Sequence, residues 1–190
     1  MEYPNLEPER TNANWIDYKI RMDTWMSGED EIVFDDVLFH PQSLTSGWLK
    51  IAKGFYDFQD DESFGVVSPR PNADLDYVRA YRVSLYIKET GTVNWTASNV
   101  GNRRSWENAY RTFYQEINAN AGKVAHLKKL KSILDDTGKG DTRYMDWELV
   151  KWVNPPDDFV LESSPAETTA APDPFASNDP TQFEDDVIPF

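Results

Sequence analysis

Rings and cations on alternate residues recur through the middle of the chain. Trp48 and Lys50 form one such set, and Arg82, Tyr86 and Lys88 form a second. Alternate residues of a β-strand share a face, so each set would put an aromatic surface beside positive charge. Trp95 follows in a third segment, and Arg103 and Arg104 precede a helical stretch. Lys128, Lys129 and Lys131 crowd a fourth strand, while Lys139 and Arg143 stand in or beside the turn before a fifth. These side chains have the chemistry to grip an unpaired nucleic-acid strand. Cations would track the phosphates, and exposed rings would stack on bases at ~1–3 kcal/mol each. No base-reading motif accompanies them, so little sequence preference is expected. A single ring in a small barrel more often packs in the core, and a lone Lys or Arg is more often simply solvated. The interleaving carries the signal.

Other chemistries find less support. Cysteine is absent, which excludes disulfides, a thiolate nucleophile and Cys-ligated zinc and fits a reducing cytosol. His40 and His126 are the only histidines, and neither stands in metal-ligand spacing with a carboxylate. The Asp60-Asp61-Glu62 cluster and the Asp135-Asp136 pair fall in loops and read as solubilising. Thr137-Gly138-Lys139-Gly140 lacks the spacing of a phosphate loop. No nucleophile–base set is visible, so no enzymatic activity, metal site or cofactor is expected.

The positioning elements can be read from periodicity. Residues 31–39 look extended, and Gly47 to Phe58 reads as one strand with a bend at Gly54. Tyr77 to Lys88 places Tyr81, Val83, Leu85 and Ile87 on one face and Arg82, Ser84 and Tyr86 on the other. Thr90-Gly91 turns into a third strand, Thr92 to Thr96. Ser105 is a candidate helix cap, with Trp106, Tyr110, Phe113 and Ile117 forming an apolar stripe. Lys123 to Leu134 could continue as helix, but the break at Gly122 and the turn-rich stretch Asp135 to Asp141 favour a strand, and Thr142 to Val153 completes the set. The fold class expected is mainly β with one helix. Its order, three strands, helix, two strands, is that of the OB-fold, a five-stranded barrel with its helix between strands 3 and 4. Alternation of Ile16, Tyr18, Ile20 and Met22 with Asp17, Lys19 and Arg21 suggests a further strand, with a short helix as the alternative, inside an N-terminal extension, residues 1–30.

Charge divides the chain of 190 residues in the same way. Residues 1–46 hold ten acidic and three basic side chains, residues 47–156 fourteen and sixteen, and residues 157–190 nine and none. The net charge of −14 therefore sits in the flanks of a mildly basic centre, a distribution compatible with nucleic-acid binding. From Asp157 the chain is rich in Pro, Ser, Thr, Ala and acid, and is expected to be disordered. No apolar run approaches membrane-spanning length, and Met1-Glu2-Tyr3-Pro4 is no signal peptide.

The last residues are Phe183-Glu184-Asp185-Asp186-Val187-Ile188-Pro189-Phe190. Pro189 holds the chain extended, and Phe190 joins a ring to a free carboxylate. A partner with an apolar pocket beside a cation would fit both. This stretch resembles the C-terminal tip of bacterial and phage single-stranded DNA-binding proteins, with Val187 standing where that family usually carries another Asp. The resemblance implies an OB-fold domain over residues 31–156 that coats single-stranded DNA in replication, recombination or repair. It also implies a disordered acidic tail, residues 157–190, that recruits DNA-processing proteins through Asp185, Asp186, Ile188, Pro189 and Phe190. The expected setting is a bacterial or phage-infected cytosol, with no membrane partner. The competing reading is an interaction protein that mimics such a tip without binding DNA. Oligomeric state is open.

Overall fold

The computed structural model describes residues 14–52, 55–71, 76–136 and 140–159. It is mainly β with one α-helix. The strands are β1 (Asn14–Lys19), β2 (Thr24–Ser27), β3 (Asp30–Ile32), β4 (Asp36–Phe39), β5 (Thr45–Ala52), β6 (Phe55–Asp60), β7 (Val78–Ile87) and β8 (Gly91–Ala97). Helix α1 (Val100–Phe113) follows, then β9 (Val124–Asp136) and β10 (Asp141–Val153). The sheet runs β10-β9-β4-β7-β8-β1-β2-β3, with β5 on β7 and β6 on β5.

The best-patterned stretches fold as their alternation dictates. Along β7, Tyr81, Val83, Leu85 and Ile87 are buried on the core face. Gly91, at φ +84, provides the left-handed residue that turns β7 into β8. β9 and β10 pair over most of their length, with two register shifts. In the core, Trp25, Trp95 and Trp147 meet at centroid distances of 5.0–6.4 Å. Beside them a column of rings, Tyr81, Trp106, Tyr110 and Tyr114, stacks at 4.4, 5.4 and 5.5 Å along α1.

Several expectations need correction. The stretch read as one strand from Gly47 to Phe58 is the hairpin β5–β6, whose alternation continues across the turn; Gly54 lies outside the described residues. The extended run 31–39 is two strands. Asn99, not Ser105, caps α1, accepting a hydrogen bond from the Asn102 N–H at 2.9 Å. Ser105 instead donates to Gly101 O (2.7 Å) and accepts from the Met145 N–H (2.8 Å), tying the helix to β10. The helix ends at Phe113, so Ile117 packs against the core from a short 3-10 turn.

The sheet is open. Among the described residues no ladder joins its end strands, β10 and β3, and it has ten strands, where a five-stranded barrel was expected. The reason lies at the N-terminus. β1 pairs parallel with β8 and antiparallel with β2, and Ile16, Tyr18 and Trp25 are buried in the common core. The segment read as an extension thus occupies the flank of β8. Asn102 fixes it there, donating to Tyr18 O at 3.0 Å and accepting from Trp95 Nε1 at 3.2 Å.

Candidate nucleic-acid interface

Residues paired across neighbouring strands lie on one face of a sheet. On the face of β7 away from the core, Arg82 pairs with Thr45 and Thr96, Ser84 with Asn94, and Tyr86 with Thr92 and Leu38. Arg82 is the cation at the centre of this face. Its guanidinium lies 4.3 Å from the Phe58 ring centroid, Nη2 donates to Asp60 Oδ1 (3.0 Å), and Nε donates to Thr45 Oγ1 (3.3 Å). Trp15, the parallel partner of Asn94, meets Tyr56 with centroids 6.0 Å apart. Tyr56 is 38% exposed. On the other side of β4, Leu38 pairs with His126 and Asp36 with Lys128, so the exposed Lys128 extends the same face.

Trp15, Tyr56 and Phe58 are site residues that sequence reasoning missed. Tyr56 and Phe58 do alternate with Asp57 and Gln59, which is the signal that could have found them. Trp15 falls just ahead of the recognised alternation.

Trp48 and Lys50 do not join Arg82 and Tyr86. Trp48 pairs with Arg79, not Arg82, which puts it on the opposite face. There the Arg79 and Arg70 guanidinium groups stand over its ring, at 5.1 and 5.6 Å from the centroid, and Nε1 donates to Ser68 O at 2.8 Å. Arg79 in turn grips the buried Asp61. Burial would push the Asp61 carboxyl up, but bonds from Arg79, Ser46 and the Ser68 N–H hold it below the usual carboxylate range. Lys50 lies 5.8 Å over the Tyr77 ring. The hydroxyl of Tyr77 donates to Asp57, a bond that raises its pKa. This cluster ties Ser68 and Arg70 to Trp48 on β5.

The other candidates divide. Trp95 is fully buried and cannot stack on a base, because its place on β8 opposite Val83 faces the core. Arg103 is 7% exposed in the first turns of α1, so it is not presented on this face. Arg104 is ion-paired with Asp135. Arg143 reaches Ser132 (3.4 Å) and Asp23 (3.7 Å). Lys129 lies 4.8 Å over the Phe34 ring, where burial lowers its pKa. Lys88 and Lys131 are exposed. Lys139 lies outside the described residues, as do Asp185, Asp186, Ile188, Pro189 and Phe190.

The segment from Asp157 was expected to be detached, yet its first residues rest on the face just described. Tyr86 Oη donates to Asp158 Oδ2 at 2.9 Å, a bond that raises the tyrosine pKa, and Thr92 Oγ1 donates to Asp158 O at 3.2 Å. Phe159, 7% exposed, meets the His40 ring edge-on at 5.2 Å and the Tyr86 ring at 5.6 Å.

Among the described residues no three His, Asp or Glu side chains are grouped to hold a metal ion, and no helix is long and apolar enough to cross a membrane. No family model, curated protein or solved structure matches the chain. The arrangement itself offers half-exposed rings and cations along one face of a sheet, which suits stacking and phosphate contact.

Proposed function

We propose that the chain is a single-stranded DNA-binding protein whose body coats unpaired strands and whose C-terminal tip recruits DNA-processing proteins. The observation that carries this is the row of Trp15, Tyr56, Phe58, Arg82, Tyr86 and Lys128 along one face. Stacking rings and phosphate-seeking cations are what sequence-tolerant binding of single strands needs.

The strand connections support an OB-like body. β4 pairs with the end of β7 and β5 with its beginning, so the two act as one broken first strand. β7, β8, α1, β9 and β10 then follow in OB order, and β9 lies beside β4. The OB-fold is a partly open barrel that binds oligonucleotides on the face of its second and third strands. On this reading those strands would be β7 and β8. The acidic, Pro-containing segment ending in Ile188-Pro189-Phe190 supports the second half of the reading. The setting would be the cytosol of a bacterium or phage-infected cell, in replication, recombination or repair.

A titration with oligo-dT tests the body. Salt-sensitive quenching of Trp fluorescence is expected, with affinity falling on a logarithmic salt plot as phosphate contacts release counterions. A folded chain that leaves oligo-dT unbound at low salt overturns this reading and favours tip mimicry. One residue appended after Phe190 tests the tip separately, since it moves the carboxylate and leaves the ring. Partner capture should fall; unchanged capture would exclude this docking mode.

A further inference from the structure

We propose that Tyr86, Thr92 and His40 form a nucleotide subsite on the outer face of β7–β8, and that Asp158 and Phe159 fill it when no nucleic acid is bound. The inference rests on the single-strand reading above. Asp158 and Phe159 put an anionic oxygen and a flat ring on adjacent residues. Those are the two groups a nucleotide offers as phosphate and base.

Tyr86 contacts both, its hydroxyl donating a hydrogen bond to Asp158 Oδ2 at 2.9 Å and its ring standing 5.6 Å from Phe159. Thr92 adds a second hydroxyl donor to the Asp158 carbonyl. His40 closes the seat, its ring edge-on to Phe159 at 5.2 Å. The histidine is 6% exposed, its backbone N–H is bound to Ser84 O, and its ring Nδ1 has no hydrogen-bond partner among the described residues. A buried polar atom without a partner is uncommon and costly. Phenylalanine offers that nitrogen nothing, whereas a nucleobase carries both donors and acceptors along its edges. Exchanging Phe159 for a base would therefore keep the ring contacts and add a bond.

The seat shares its face with Arg82, Phe58, Tyr56 and Trp15, so one strand crossing β7 and β8 can reach it. Entry of the strand must then expel Asp158 and Phe159, freeing the root of the acidic segment from the body.

A fluorinated phenylalanine placed at position 159 reports the exchange. Its 19F resonance should shift in step with Trp quenching as oligo-dT is added. Phe159→Ala leaves the charge unchanged and empties the seat. It should tighten oligo-dT binding about threefold to tenfold, since removing an occupant raises the competent fraction; Tyr86→Ala should weaken it. A 19F signal unmoved at saturating oligo-dT overturns the subsite, as does a folded Phe159→Ala chain of unchanged affinity. If neither the full chain nor Phe159→Ala binds oligo-dT while folded, the single-strand reading itself has failed and the subsite falls with it.

Discussion

Arg79 holds Asp61 with both terminal nitrogens, Nη1 at 2.9 Å from Oδ1 and Nη2 at 2.7 Å from Oδ2. The Asp61 side chain is wholly buried, and that of Arg79 is 12% exposed. Removing one member of such a pair strands the other charge away from water, at about 3–5 kcal/mol. Arg79→Leu should therefore lower urea stability by that order, and it should also loosen Trp48, which the same guanidinium covers. Because the folded carboxyl is held below its ordinary value of 3.8, its contribution is complete above that value and is lost as pH falls through the folded pKa. Acid unfolding monitored by circular dichroism reads this.

Trp15→Ala and Tyr56→Ala should each weaken oligo-dT binding, by ~1–3 kcal/mol if the ring stacks on a base. Trp48→Ala should act on stability instead, because its ring already meets two guanidinium groups and its Nε1 is bound to Ser68 O. Fluorescence anisotropy in parallel with thermal melts separates the two effects. Equal losses of affinity from Trp48→Ala and Trp15→Ala, with both proteins fully folded, would contradict this assignment of faces.

Trp95→Phe should leave oligo-dT affinity unchanged. Trp95→Ala, by contrast, opens a cavity in the packed group of Trp25 and Trp147 and should cost about 3–5 kcal/mol of stability. Chemical denaturation measures the loss. A folded Trp95→Phe protein with reduced affinity would show that this indole reaches the ligand after all.

His40 gives a second acid sensitivity. Burial pushes its pKa below the ordinary 6.5, so the unfolded chain binds the proton more readily than the folded one. Stability should be complete above pH 6.5 and decline as pH falls from there towards the folded pKa. His40→Gln should flatten that part of the stability–pH curve. A curve with the same slope in the variant would assign the decline to another group.

The strands β7, β8 and β10 were legible from a two-residue rhythm of apolar and polar residues, with a turn at Gly91 between the first two; β9, whose adjacent Val124 and Ala125 are both buried, lacks that rhythm and was legible only from the break at Gly122 and the turn-rich stretch after it. The start of α1 was hidden because Asn99-Val100-Gly101 looks like a turn. Gly101 sits in the helix for a reason that no local rule contains: a Cβ there would stand 2.2 Å from Arg143 O on β10. The strand β1 was legible in the alternation of Ile16 and Tyr18, which turn inward, with Asp17 and Lys19, whose side chains stay half exposed; its place beside β8 was not, because a parallel pairing between distant segments leaves no local mark. At the site, Trp48 and Arg82 each sat correctly on a strand. Their separation onto opposite faces depends on how β5 registers against β7, and a single strand's rhythm carries no such information. Trp95 was misplaced for another reason: it alternates with Val93 and Ala97 on β8, and that apolar rhythm, which already turns it to the core, overrides the pattern of rings and cations.

Gly101 also sets a schedule for folding. A methyl group at this residue would touch Ile20 as well as Arg143, so the glycine is where the beginning and end of the folded body come together. A ribosome must release nearly all of that body before the contact can form. Much of the stabilising energy then arrives late and over long loops, which is the circumstance of a slow folder. Until then the tryptophan-rich interior stays uncovered in the nascent chain, open to chaperones and to its own kind.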